Sequence, residues 1–370
     1  TAGVVVLRVG PFRLRVGFWW VFLWGDADVV MCDASKIPPL REQISDDCYT
    51  EAFLVKTPRC GSLNVHVQGD LSTINPRKPI FLTVHDVGST YLDFVQFAAH
   101  PCMARVSEKS VFLHVEVPGQ AYNAPDLPED YKFPTMDDLA QDMADVLHYF
   151  KIPYCVALGE GAGANILARF TMNCSELVLG SILIHCSCTE ASLVELFNYQ
   201  VVYWYQGGKK SGPPPMEHFL VFHKFGKVLS KLLEQSGLSQ LVSTDETSGK
   251  VTQGSSALNY AESVRQKVNR RNSSFYIQAY LTRSDISSSL KKNLKTDILL
   301  VTSSTQALAD TTQNTYSKID PAKAALLKLD DAEDILSDVP EKLAYGLVLF
   351  CQGLGLLSSL PITTLTSLLQ

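Results

Sequence analysis

Residues Gly159-Glu160-Gly161-Ala162-Gly163 follow the apolar run Tyr154-Cys155-Val156-Ala157-Leu158 and precede a segment with helical spacing. A strand, a glycine turn and a helix in that order make the elbow on which many hydrolases mount Gly-x-Ser-x-Gly, with the serine at the apex. Here the apex is Gly161, which has no side chain to attack a carbonyl. The chain order that completes such a triad is an acid after a late strand and then a histidine near the end. The eight histidines are His66, His85, His100, His114, His148, His185, His218 and His223, so none lies in the last third of the chain. Beyond the apolar run Asp297-Ile298-Leu299-Leu300-Val301 comes Thr302-Ser303-Ser304-Thr305-Gln306, with no carboxylate before Asp310. All three triad roles read as vacant. Losing nucleophile and base together removes most of the roughly million-fold acceleration a triad supplies, so the expectation is a protein that is not an enzyme.

Two replacement nucleophiles, Cys186 and Ser187, follow the next strand, and a hydrolase with a displaced nucleophile is the alternative reading. Neither is flanked by glycines at elbow spacing. His85-Asp86-Val87-Gly88 follows an earlier strand, where active hydrolases build an oxyanion hole from backbone amides. His85, Asp86, Gly88, Gly159, Gly161 and Gly163 are therefore the candidates for a vestigial pocket, which could hold a small apolar ligand without reacting with it. A plainer role for the first group is a tight turn at Gly88 with His85 bonded locally. His114 alternates within a buried strand and reads as a satisfied core histidine.

Cofactor chemistry finds little support. Gly159-x-Gly161-x-x-Ala164 matches a loosened dinucleotide fingerprint, but the following strand ends in His185-Cys186 where an acid should hold the ribose. The nine cysteines are odd in number and include no Cys-x-x-Cys pair, so neither a metal site nor a disulfide framework is expected. A net charge of −6 argues against nucleic acid as a partner. With 46% hydrophobic and 19% charged residues the chain should fold, and its cysteines fit a reduced intracellular protein.

These residues need a scaffold. Residues 52–55 and 63–67 alternate like a hairpin closed by Pro58-Arg59-Cys60-Gly61. Apolar runs at 79–84, 111–115, 154–158, 180–184 and 297–301 read as buried parallel strands with helices between them. The clearest helix starts at Thr135, with Asp138 completing a capping box; residues 162–173 and 339–352 read as helices too. The predicted fold class is α/β: a mostly parallel sheet with an N-terminal antiparallel hairpin and a helical cap insertion. Residues 51–188 and 291–355 form the core, 189–290 the cap, 31–50 an N-terminal segment and 356–370 a loose tail. Residues 1–30 begin without Met and carry Gly17–Trp24, an apolar run too short to span a bilayer. They read as an extension upstream of the natural start, outside the fold.

The motifs resemble those of the N-myc downstream-regulated family between about Ala52 and Gly355. The resemblance is carried by residues 85–91 (His-Asp-Val-Gly-Ser-Thr-Tyr), residues 114–120 (His-Val-Glu-Val-Pro-Gly-Gln), residues 131–139 (Tyr-x-Phe-Pro-Thr-Met-Asp-Asp-Leu), Gly159 to Ala164 and residues 166–170 (Ile-Leu-Ala-Arg-Phe). Residues 280–285 and 351–355 extend it; the cap between Leu193 and Ser274 resembles the family poorly, and Ser303-Ser304 stands where family members keep Gly-Asp. The resemblance implies an α/β-hydrolase fold without a working triad, and a cytoplasmic adaptor linked to signalling, stress response, differentiation or vesicle traffic. Its protein partners and oligomeric state are not specified. Arg265, Lys267, Arg270 and Arg271 offer a basic cluster to an acidic lipid headgroup, although such a run is more often a solvated helix face. Pro213-Pro214-Pro215 reads as a loop stiffener or a short polyproline ligand.

Overall fold

The computed structural model describes residues 6–9, 15–16, 19–20, 50–75, 78–193, 195–196, 216–226, 255–304, 309–330, 332 and 334–360. Its strands are β1 (Val6–Val9), β2 (Arg15–Val16), β3 (Trp19–Trp20), β4 (Glu51–Thr57), β5 (Gly61–Gln68), β6 (Ile80–Val84), β7 (Val111–Glu116), β8 (Cys155–Glu160), β9 (Val178–Ile184), β10 (Asp297–Thr302) and β11 (Ala324–Lys328). Nine of them form one sheet in the order β1-β11-β10-β9-β8-β6-β7-β5-β4, while β2 and β3 pair separately. The strands from β7 across to β11 run parallel, and the β4–β5 hairpin adds an antiparallel edge.

The apolar strand runs are continuous because both faces of the sheet are covered. On β8, Cys155 and Ala157 belong to one core and Val156 and Leu158 to the other; on β10, Ile298 and Leu300 oppose Leu299 and Val301. The period-two alternation of a strand thus feeds two apolar clusters at once. Helices α1 (Tyr91–Ala99) and α2 (Ala104–Glu108) cover one face, α3 (Met136–Tyr149) and α4 (Gly161–Asn173) the other. The capping box at α3 forms as expected: Thr135 Oγ1 accepts from the Asp138 amide at 3.1 Å, and Asp138 Oδ2 accepts from the Thr135 amide at 3.0 Å. Further along α3, the buried Asp142 carboxylate accepts from the amides of Arg59 and Cys60 at 3.1 and 2.7 Å, fastening the hairpin turn to the helix.

The cap contributes α5 (Met216–Phe225), α6 (Ser255–Lys267) and α7 (Arg270–Leu281). Helices α8 (Leu290–Asn293), α9 (Ala309–Lys318), α10 (Ile335–Asp338) and α11 (Pro340–Gly353) complete the chain. The stretches 197–215 and 227–254, with Pro213–Pro215, lie outside the described residues.

Three features differ from the sequence reading. Strand β11 is only five residues long and bounded by Lys323 and Lys328, so its Ala-Ala-Leu-Leu run carries little pattern, yet it pairs in parallel with β10. On its far side β1 pairs antiparallel, Val6 opposite Lys328 and Val9 opposite Ala325, within a segment read as lying outside the fold. Within the segment read as a loose tail, Leu356, Leu357 and Leu360 are buried on the α11 side of the sheet.

Candidate functional site

The elbow is built by close approach of backbone. Strand β8 ends at Glu160, and Gly161 opens α4 with φ of +53°, a left-handed conformation that costs an L-residue about 1–2 kcal/mol. A side chain on Gly163 would strike the carbonyl of Val84, and one on Gly159 would lie 2.9 Å from the Gly163 carbonyl oxygen. These two glycines let the start of α4 press against β6 and β8.

At the apex, a Cβ on Gly161 would fall inside the carboxylate of Asp86. That carboxylate occupies the space a nucleophilic side chain would take. Its Oδ1 accepts from the amide of Val87 at 2.7 Å and from the amide of Ala162 at 2.7 Å. An amide just after the elbow apex and one from the loop after an early strand are the donors that hold the oxyanion in an active hydrolase. Asp86 therefore satisfies both with a charge of its own. His223 of α5 completes the arrangement, its Nε2 donating to Oδ2 at 2.9 Å and reaching Oδ1 at 3.1 Å. Burial by itself would raise the Asp86 pKa, but the adjacent His223 and the Ala162 amide outweigh it and hold the carboxyl below the usual carboxylate range.

His85 is used beneath this loop. Its Nε2 accepts from the Val117 amide at 3.1 Å, which leaves Nδ1 to donate to the Asp86 carbonyl at 2.9 Å; burial depresses its pKa and keeps the ring neutral. Gly88, with φ of +72°, has no room for a side chain because the Tyr260 hydroxyl and Leu220 of the cap press against it. Tyr260 Oη donates to the Val87 carbonyl at 3.4 Å and Tyr276 Oη to the His85 carbonyl at 3.0 Å. The cap thus sits directly on His85, Asp86 and Gly88, and the structure brings these together with Gly159, Gly161 and Gly163.

A second charged group lies alongside. Lys224, buried on α5, stands 3.4 Å from Glu160 Oε1 and 3.2 Å from Asp334 Oδ2, with its ammonium 5.6 Å from the Tyr260 ring centroid. Burial would lower the Lys224 pKa, but the carboxylates of Asp334 and Glu160 raise it well above its ordinary value. Burial pushes Glu160 up to about 8 against the pull of Lys224, with Asp334 adding to the rise. Asp334 lies in the loop after β11, where a triad histidine would stand.

The replacement nucleophiles are placed otherwise. Cys186 Sγ lies 3.7 Å from Cys188 Sγ, and that contact, then burial, pushes its thiol well above the ordinary range. A thiol so shifted is a poor nucleophile at neutral pH. Ser187 is buried, its Oγ 3.3 Å from both Thr189 Oγ1 and Arg283 Nη2. His114 bonds Thr83 Oγ1 at 2.8 Å and Gln68 Oε1 at 3.0 Å, so both ring nitrogens are satisfied. Within the basic cluster, Arg265 pairs with Glu262 at 3.5 Å, Arg271 with Asp126 at 3.7 Å, and Lys267 lies over the Tyr122 ring at 5.3 Å. No helix among the described residues is long and apolar enough to cross a membrane.

His223, Lys224 and Asp334 escaped the sequence reading. The signal was an adjacent His-Lys pair between the apolar run Phe219-Leu220-Val221-Phe222 and Phe225, where charge must find partners if the helix is buried.

Comparison with known proteins places the chain. The pattern defining the Ndr family matches residues 54–358. An uncharacterized protein of Caenorhabditis elegans is 35% identical over 313 residues, covering 84% of this chain and 87% of that protein. Protein NDRG4-A of Xenopus laevis is 28% identical over 319 residues, covering 84% of this chain and 74% of that one. Among solved structures, an esterase from Thermogutta terrifontis superposes with a TM-score of 0.56 at 13% identity, covering 82% of this chain and 99% of that chain. A carboxylesterase of the thaumarchaeon Nitrososphaera gargenis gives 0.59 at 16% identity, with 82% and 99% covered. The fold is that of the α/β hydrolases.

Proposed function

The chain belongs to the Ndr family, and from that premise we propose that it acts by binding protein partners, as a non-catalytic adaptor in cytoplasmic signalling, stress response or differentiation. The observation that supports the loss of hydrolysis is the Asp86 carboxylate on the amides of Val87 and Ala162. An oxyanion hole works by stabilising charge that develops only in the transition state. One already filled by a fixed anion offers nothing to a tetrahedral intermediate, and repels it. The apex glycine and the absence of histidine beyond His223 agree with that reading.

The test is labelling with a fluorophosphonate probe alongside turnover of short-chain p-nitrophenyl esters. The expected result is no stoichiometric labelling and no turnover above buffer. Hydrolysis that disappears in Cys186→Ala or Ser187→Ala would establish the displaced-nucleophile enzyme instead. Affinity capture with the intact chain, followed by partner identification and reconstitution with the purified partner, tests the adaptor role directly.

A further inference from the structure

The buried cluster beside the elbow brings an amine into contact with two carboxyl groups. Lys224 Nζ stands 3.2 Å from Asp334 Oδ2, 3.4 and 3.5 Å from the two oxygens of Glu160, and 3.5 Å from Ser89 Oγ. Lys224, Glu160 and Asp334 come from α5, the end of β8 and the loop after β11, and are 2%, 1% and 4% exposed. The second oxygen of Asp334, Oδ1, accepts from the Leu336 amide at 3.2 Å. That bond draws negative charge toward Oδ1 and opens the carboxyl carbon to attack. An amine fixed against a carboxyl in a reactive pose meets it at an effective concentration of about 10⁵ M or more. A site closed to water also protects the product from hydrolysis.

We propose that Lys224 and Asp334 condense into an intramolecular isopeptide bond, with Glu160 carrying the protons. The ion pair is the resting form, because the Asp334 carboxylate, against the effect of burial, holds the Lys224 ammonium protonated. Passing one proton from Nζ to Oδ2 turns the pair into an amine and an acid, and burial favours this form because neither group then needs solvation as an ion. Nζ forms a bond to Cγ of Asp334, and the displaced electron pair moves onto Oδ1 under the Leu336 amide. Glu160, pushed up to about 8 by burial, holds a proton at neutral pH. It gives that proton to Oδ2 and takes one from Nζ on its other oxygen. The Cγ–Oδ2 bond breaks with its electron pair on the departing oxygen, one water leaves, and Glu160 ends as it began. The new amide keeps the Leu336 hydrogen bond on Oδ1 and joins the cap helix α5 covalently to the start of α10, fixing the cap over the elbow. The inference goes beyond the adaptor reading and does not depend on it, since the condensation needs no partner.

Intact-mass spectrometry of the purified full chain, unfolded before injection, tests it. The expected result is a wild-type mass below the sequence mass by one water, with the peptides bearing Lys224 and Asp334 recovered after proteolysis as one branched species. Lys224→Arg keeps a cation beside both carboxylates, but a guanidinium does not condense with them, so this variant keeps its full mass. Glu160→Gln keeps the shape of the side chain and removes the proton carrier; conversion, followed over time at neutral pH, slows at least about 100-fold. A wild-type chain that is folded by circular dichroism and still has its full mass after days at neutral pH overturns the proposal. So does a water loss that persists in Lys224→Arg, or one whose rate is unchanged in Glu160→Gln.

Discussion

Replacing Gly161 with serine would restore the residue type the elbow is shaped for, and the structure says that the result is an unstable protein rather than an enzyme. The new Cβ falls inside the Asp86 carboxylate, which must leave its place. Leaving breaks the bonds from the amides of Val87 and Ala162 and the contact with His223. Breaking a buried ionic arrangement costs about 3–5 kcal/mol, and the left-handed backbone at φ +53° adds about 1 kcal/mol for a residue with a side chain. A loss of about 4–6 kcal/mol is comparable to the whole stability of many domains. Urea unfolding followed by circular dichroism measures it. The double variant Gly161→Ser with Asp86→Ala relieves the overlap, so its loss should be smaller than the two single losses combined by at least about 2 kcal/mol. A Gly161→Ser protein within about 1 kcal/mol of wild type at an unchanged urea slope, or strict additivity in the cycle, would refute the claim that Asp86 and the apex glycine exclude each other.

The neighbouring clusters give further expectations. Lys224→Met leaves the buried Asp334 carboxylate without its cation and should cost about 3–5 kcal/mol, read from the urea midpoint. Glu160 titrates at about 8 in the fold against 4.5 when free, so the native state holds the extra proton. Its contribution is complete below about pH 4.5 and is lost as pH rises through about 8; Glu160→Gln should flatten the fall in stability across that window, measured by unfolding at a series of pH values. Asn272→Ala removes the acceptor for the Leu127 amide and the donor to the carbonyls of Gly119 and Pro125, which staple α7 to the loop after β7. A loss of about 2 kcal/mol, with faster amide exchange at Leu127, is expected.

The scaffold was legible because its signals are local. Continuous apolar runs bounded by turns gave the strands from β4 to β10, and Thr135 with Asp138 announced the start of α3. Short elements failed that test: β11 has too few residues for periodicity, and its strand identity comes from pairing with β10 on one side and β1 on the other. The site was half legible. The six candidates lie on motifs close to strand ends, where a glycine spacing can be recognised. His223 and Lys224 come from a cap helix 60 or more residues beyond the elbow, and Asp334 lies further still, so only folding brings them to Asp86 and Glu160. Nor does the sequence show that Asp86 turns inward to the amides beside Gly161; a serine there would have sent it elsewhere.

That mutual exclusion makes the two positions an interlocked pair. Any side chain at position 161 removes the space for the present pose of Asp86, so that pose requires the glycine. The reverse step is obstructed in turn, because a serine at 161 alone meets the settled aspartate, and removing the aspartate alone strands two amides and a histidine. Installing a side chain at the apex therefore requires at least two coordinated changes through a poorly folding intermediate. The pair acts as a ratchet, in which each residue holds the other against single substitutions.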